Sequence, residues 1–191
     1  DVPPGVAARG LKNYWGYSTH SFYSPHPGYC IAPEQGTHLT EFRDMVKALH
    51  RANIGVILDV VFNHTAEGGA DGPVINFKGF GNEMFYHLEP SDRSRYRDYT
   101  GCGNTVHANH PLVSRFIAEC LKYWVREMHV DGFRFDLASA LARGEDGNPQ
   151  YHAPVLWGIE FSATLARTGL IAEAWDAGGL YQVGDFPGFR W

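Results

Sequence analysis

Between residues 37 and 53 the apolar side chains Leu39, Phe42, Val46 and Leu49 recur at steps of three and four, which aligns them along one stripe of a helix. The run at 54–62 is β-branched and apolar, the pattern of a parallel strand covered on both faces. A second cycle follows. Pro111 suits the first turn of a helix, Val113, Phe116, Ile117, Cys120, Leu121, Trp124 and Met128 form its buried stripe, and 133–137 is the next strand. A third helix is predicted over 154–167 and a further apolar strand over 170–174. Upstream, the short aromatic-rich segment 13–17 predicts a strand that runs into a Ser/Pro/Gly-rich loop at 18–36. Alternation of this kind implies an α/β fold with a parallel sheet. Residues 63–110 are rich in Gly, Asp, Asn and Tyr and have no period, so they predict a long loop bordering a binding cleft. No internal repeat or low-complexity tract interrupts the chain.

Composition narrows the function classes. The 191 residues are 44% hydrophobic and 19% charged, enough for a globular core. A formal net charge of -5 gives no basic face to neutralise phosphate, so nucleic acid is excluded as a partner and a neutral or polar substrate fits better. The longest apolar stretch, at 54–62, is broken by Gly55 and Asp59 and falls far short of the ~20 residues of a membrane span. Cys30, Cys102 and Cys120 cannot all pair and lack the close spacing of zinc or redox sites, so they read as reduced thiols of an intracellular protein. The chain opens on Asp1 and stops at Trp191 in a Gly/Pro-containing loop, from which a piece cut at both ends is expected.

Candidate chemistry gathers at the predicted strand ends. In Gly132-Phe133-Arg134-Phe135-Asp136 the period of two puts Arg134 and Asp136 on one side of the strand. A guanidinium so placed lowers an Asp pKa by about 1–3 units and keeps it ionised, as a nucleophile must be, although a structural Arg–Asp pair has the same spacing. Glu173 ends the next apolar strand, where ligands bind in parallel sheets, and its apolar and aromatic neighbours predict a raised pKa suited to a general acid. Alternatively, Glu173 or Asp176 pairs with an Arg. His64, at the end of 59–64, reads either as a hydrogen-bond donor to a sugar hydroxyl or as a structural residue, and Asp59 as a residue that orients its neighbours. The aromatics Tyr14, Trp15, Tyr17, Phe22 and Tyr23 read mainly as core fillers, with sugar stacking as the alternative.

Together these segments resemble the α-amylase superfamily of glycoside hydrolases. Asp59-Val60-Val61-Phe62-Asn63-His64 is similar to its first signature block, Gly132-Phe133-Arg134-Phe135-Asp136 to its second, and Glu173 falls in its third. The flanks at 13–17, 64–69, 101–105, 128–131 and 172–179 resemble the isoamylase or glycogen-debranching group within it. The resemblance implies a fragment of a TIM-type (β/α)8 barrel, about strands two to five, as a partial catalytic domain over 1–191. It further implies retaining hydrolysis of α-1,6 branches in glycogen, amylopectin or limit dextrin, with Asp136 as nucleophile and Glu173 as acid/base. Tyr17, His64 and Arg134 are then the substrate-binding residues, with no cofactor and no metal ligand. The family's third carboxylate, an Asp after a His on a later strand, is not supplied after Glu173, which implies truncation. Another α-glucan hydrolase or transglycosylase, or a non-catalytic glucan-binding isoamylase subunit, are the alternatives. The implied location is the cytoplasm of a bacterium or the plastid of a plant or alga.

Overall fold

The computed structural model describes Val2 and residues 4–191. Its elements run α1 (Pro4–Ala7), α2 (His38–Arg51), β1 (Ile57–Val60), α3 (Phe77–Phe85), β2 (Leu88–Glu89), β3 (Asp92–Tyr96), α4 (Pro111–Arg126), β4 (Gly132–Phe135), α5 (Pro154–Glu160) and β5 (Gly169–Ala172). Strands β1, β4 and β5 form a three-stranded sheet in that order, parallel throughout. Asp59 lies opposite Arg134, and Arg134 opposite Ile171. Gly132 is required where β4 enters beside β5, because a Cβ there would lie 2.6 Å from the Gly169 carbonyl oxygen.

The two long helices follow their stripes. On α4, Val113, Ile117, Cys120, Leu121 and Trp124 are buried, and Pro111 occupies the first turn with the His110 side chain accepting from the Leu112 N–H. On α2, Val46 is buried while Leu39, Phe42 and Leu49 pack partly buried against the same core. Phe42 meets Trp124 edge-on at 5.3 Å between ring centroids, so the stripes of α2 and α4 face one another. Phe133, Phe135 and Leu170, at 0%, 0% and 5% exposure, carry one face of the sheet into this core. Each such burial stabilises by about 1.5–3 kcal/mol.

Five expectations need correction. Residues 13–17 are not a strand: the Asn13 side chain accepts the Gly16 N–H at 3.1 Å and Gly16 takes φ +79°, a turn that competes with extended pairing. The parallel sheet therefore has three strands among the described residues, not about four. Strand β1 is covered on one side only, with Ile57 52% exposed. The region 63–110 is not a featureless loop, since it holds α3 and the antiparallel pair β2–β3. Helix α5 ends at Glu160, well short of 167.

Candidate active site

The sheet alternates, and its second face carries Asp59, Arg134 and Ile171 at one level, with Ile57 a step below. That face is open: Ile171 is 48% exposed and Asp59 is exposed. Asp136 and Glu173 sit one position past β4 and β5, in register, because Phe135 pairs Ala172 and the ladder continues from the Glu173 N–H to the Phe135 carbonyl at 3.0 Å. Adjacent strands are ~4.8 Å apart, so the two carboxylate-bearing backbones are immediate neighbours.

Arg134 organises the cluster. Its Nη1 donates to Asp59 Oδ1 at 2.9 Å and to Asp136 Oδ1 at 3.3 Å, and its Nη2 lies 3.1 Å from Glu173 Oε1. One guanidinium thus holds three carboxylates. Tyr17 donates its hydroxyl to Asp59 Oδ2 at 2.8 Å, and this bond is the main reason its pKa is raised. His64 is buried, with Nε2 donating to the Tyr17 carbonyl at 2.8 Å and Nδ1 2.6 Å from Asn63 Oδ1. Burial pushes the His64 pKa down, while the Tyr17 carbonyl and the Asp136 charge push it back up. All five residues anticipated from sequence are therefore brought into one connected network.

The protonation preferences of the two carboxyls are reversed from expectation. Burial raises the Asp136 pKa, and the Glu173 charge adds to it, against the hydrogen bond from Asn63 and the charges of His64 and Arg134. For Glu173 burial also acts upward, but the Leu137 N–H, the Trp175 side chain and Arg134 outweigh it, and the net shift is downward. The cause is geometric: Glu173 is only half-buried and takes the Leu137 N–H on Oε2 at 2.8 Å, while Asp136 is set deeper. Leu137 holds that N–H in place from a left-handed backbone, φ +41°, a conformation that costs a non-glycine residue about 1–3 kcal/mol.

Sequence reading missed Asn63. Its amide donates to both the Asp136 carbonyl and Asp136 Oδ2, at 2.8 and 2.9 Å, and its position beside His64 in the first block was the available signal. Asp176 takes the structural role: Arg143 pairs with it at 2.7 and 3.1 Å, both side chains buried, and stacks on Tyr99 at 3.9 Å. Tyr14 and Trp15 are not core fillers, being 80% and 78% exposed, whereas Phe22 and Tyr23 do pack on the core. Among the described residues no group of three or more His, Cys, Asp or Glu is set to hold a metal.

A parallel sheet backed by helices, with charged groups converging past the strand C-termini, is the class of α/β architecture that binds ligands at those ends. Within that class the sequence has specific relatives. It is 49% identical to the glycogen operon protein GlgX homolog of Mycobacterium bovis over 180 residues, covering 94% of this chain and 25% of that protein. It is 46% identical to the chloroplastic isoamylase SU1 of Zea mays over 197 residues (92% and 25%), and 48% identical to the glycogen debranching enzyme of Salmonella heidelberg over 187 residues (96% and 27%). Among solved structures, the pullulanase of Bacillus acidopullulyticus superposes with a TM-score of 0.69 at 32% identity, covering 86% of this chain and 18% of that one. The type I pullulanase of Bacillus subtilis in complex with maltose gives 0.70 at 32% identity, covering 85% and 21%. No family model matches the chain. The chain is a relative of the isoamylase and glycogen-debranching group of the α-amylase superfamily, and it spans about a quarter of the length of the curated relatives it matches.

Proposed function

We propose that this chain is the part of a longer glycogen- or starch-debranching enzyme that carries the nucleophile and acid/base of retaining α-1,6 hydrolysis. The observation that supports it most is the in-register placement of Asp136 and Glu173 past adjacent parallel strands on a shared Arg134. Retaining chemistry needs carboxyl groups ~5–5.5 Å apart, and side chains from neighbouring strand ends ~4.8 Å apart are compatible with that spacing. Asp136 attacks the anomeric carbon and forms a glucosyl ester while Glu173 gives its proton to the leaving glycosidic oxygen. Glu173 then takes a proton from the water that opens the ester. Tyr17 stacks on the sugar at the cleavage subsite, Arg134 binds there, and His64 binds there by exchanging its Nε2 bond to the Tyr17 carbonyl for one to the sugar.

Glu173, whose pKa is lowered in the free site, has to gain proton affinity when glucan binds. A sugar packed on the open face strips water from Glu173, raising its proton affinity, while Asp136 keeps its bonds from Asn63 and Arg134 and stays ionised.

The wider reading is a partial catalytic β/α barrel domain over 1–191, with β1, β4 and β5 as the third to fifth barrel strands and 13–17 in the place of the second. The later Asp of the family lies on the rest of the protein. Branched α-glucan is the substrate, and the location is the cytoplasm of a bacterial source or the plastid of a plant one, in keeping with a relative named chloroplastic. No described helix is long and apolar enough to cross a membrane.

The test is to express the full-length protein and follow hydrolysis of amylopectin, limit dextrin and linear maltoheptaose, with the anomer first released read by proton NMR. The expected result is cleavage of the branched substrates only, with α-anomer released first. Attack on linear maltoheptaose at a comparable rate, β-anomer release, or binding without turnover would each overturn the reading.

A further inference from the structure

A cavity of about 580 Å³ lies away from the network just described and shares none of its residues. Its floor is His87, 3% exposed, with Nε2 buried and without a hydrogen-bond partner. His107 stands 4.6 Å from His87 between ring centroids and 5.7 Å from His110, so three imidazoles line one wall. Glu83, Glu145 and Gln150 are exposed at the rim, and Met84 and Leu88 contribute apolar surface.

The chemistry of this lining selects a class of ligand. Burial pushes the His87 pKa down to about 3, with His107 and Arg97 acting the same way, so its ring is neutral and offers a hydroxyl one donor or one acceptor. Arg93 and Glu83 at the rim neutralise one another at 3.0 Å, and the exposed Glu145 disfavours an anion. The neutral His87 imidazole, the Gln150 amide and the Glu145 carboxylate beside apolar patches suit a polyhydroxylated ring, which is polar at its edge and apolar on its faces. An orphaned buried polar atom in a cavity this size marks a place where a ligand group completes the hydrogen bonding.

We propose that this cavity is a second carbohydrate-binding site, which holds a glucose or maltosyl unit of an α-glucan chain outside the catalytic cleft. It rests on the debranching reading for the identity of the sugar. Its use is tethering: a branched polymer held at two points on one protein gains effective concentration at the cleft without any change in the chemistry.

The experiment uses the full-length protein, with Glu145→Trp and, separately, Pro90→Trp to fill the mouth from two independent segments. Maltoheptaose binding is measured by titration calorimetry and polymer binding by electrophoresis through glycogen-containing gels. The parent should bind maltoheptaose at two sites. Each filled variant should lose one of them, with about a tenfold loss of glycogen retardation, while kcat on a short branched oligosaccharide stays within about twofold of the parent. A parent that binds at one site only, or filled variants that keep both sites and full glycogen retardation, would overturn the proposal. Failure of the debranching reading shows separately, as absent turnover of the short branched substrate in the parent.

Discussion

At the scale of single residues, Asp136 sits in an environment chosen for chemistry at the expense of stability. Because its folded pKa is raised above the ordinary value of ~3.9, folding favours the protonated form, and stability falls as pH rises between the unfolded and folded values. At neutral pH the ionised carboxylate is a standing cost. Asp136→Asn in the full-length protein is therefore expected to raise Tm at pH 7 while lowering kcat at least ~100-fold, worth about 2.7 kcal/mol of transition-state stabilisation. Calorimetry at pH 7 beside a debranching assay checks both, and a drop in Tm with retained activity would contradict both. Arg134 lowers the pKa of Asp136 and of Glu173 alike, so Arg134→Met should move both upward. The acid limb of the kcat/KM profile, set by the carboxylate that must be ionised in the free enzyme, then shifts to higher pH. An unmoved limb would show that neither carboxyl titrates against Arg134. Alternation along a strand made it legible that Arg134 and Asp136 share a face, and a strand-end position marked Glu173, whereas Tyr17 and His64 were assigned only from the resemblance of their blocks to the superfamily. The direction of the carboxyl shifts was not legible. It depends on the Leu137 N–H that Glu173 accepts and on the depth of Asp136, neither of which has a signature in spacing.

At the scale of elements, α2 and α4 could be read directly because an apolar stripe on a long helix is a periodic signal. Helix α3 could not, because its start is fixed by a buried polar group instead. The Glu67 carboxylate, 1% exposed, accepts the N–H groups of Ile75, Asn76, Phe77 and Lys78 at 2.8 to 3.3 Å and the Tyr86 hydroxyl at 2.5 Å. An anion at this end of a helix meets four unsatisfied donors and the positive pole of the helix dipole. Burial pulls the Glu67 pKa up, but the Tyr86 hydroxyl and these N–H groups outweigh it, so the net shift is downward. Its contribution to stability is present above the unfolded value of ~4.3 and is lost as pH falls through the lower folded value. Glu67→Gln should cost about 1–3 kcal/mol at pH 7 and flatten the acid side of the stability curve. Denaturant titration of the full-length protein at pH 7 and pH 3 measures both, and a loss equally large at both pH values would remove the charge from the explanation. The loop at 98–105 is pinned to the segment 64–69 through Asn104, which donates to the Thr65 and Gly68 carbonyls. The contact is close enough that a Cβ on Gly103 would lie 2.6 Å from the Gly69 nitrogen, at φ +94°. Gly103→Ala should consequently cost more than the ~1 kcal/mol of an ordinary glycine substitution, read by denaturant titration of the full-length protein.

At the scale of the whole molecule, the open sheet face governs what these 191 residues do by themselves. Among the described residues, strands β1 and β5 are the outer members of the parallel sheet, and each leaves backbone donors and acceptors on its free edge without a ladder partner. On the open face Ile57 and Ile171 are 52% and 48% exposed on either side of Arg134, whereas Val61 is buried. Lack of cover on this face therefore holds for Ile57 and Ile171 and not for Val61. The other face has a core extending from Val46 on α2 through Phe133 to Ile159 on α5, so the chain has enough apolar burial to collapse but not to shield both sides of its sheet. Exposed edges beside exposed isoleucines favour association over a marginal native state. The expected outcome for residues 1–191 expressed alone is a soluble-aggregate distribution on size exclusion, no cooperative melting transition, and no release of reducing ends from limit dextrin. On the proposed function the missing activity would have a separate cause from the missing stability, since that reading places a further carboxylate outside this segment, where it would stabilise the transition state electrostatically, commonly by a few kcal/mol. Charged substitutions on the open face separate the two: Ile57→Lys with Ile171→Glu should restore a monomeric species with a melting transition and still leave the segment inactive. A monomer that melts cooperatively without those substitutions and turns over limit dextrin as fast as the full-length protein would show that the open face is no liability and that the segment already carries a complete site.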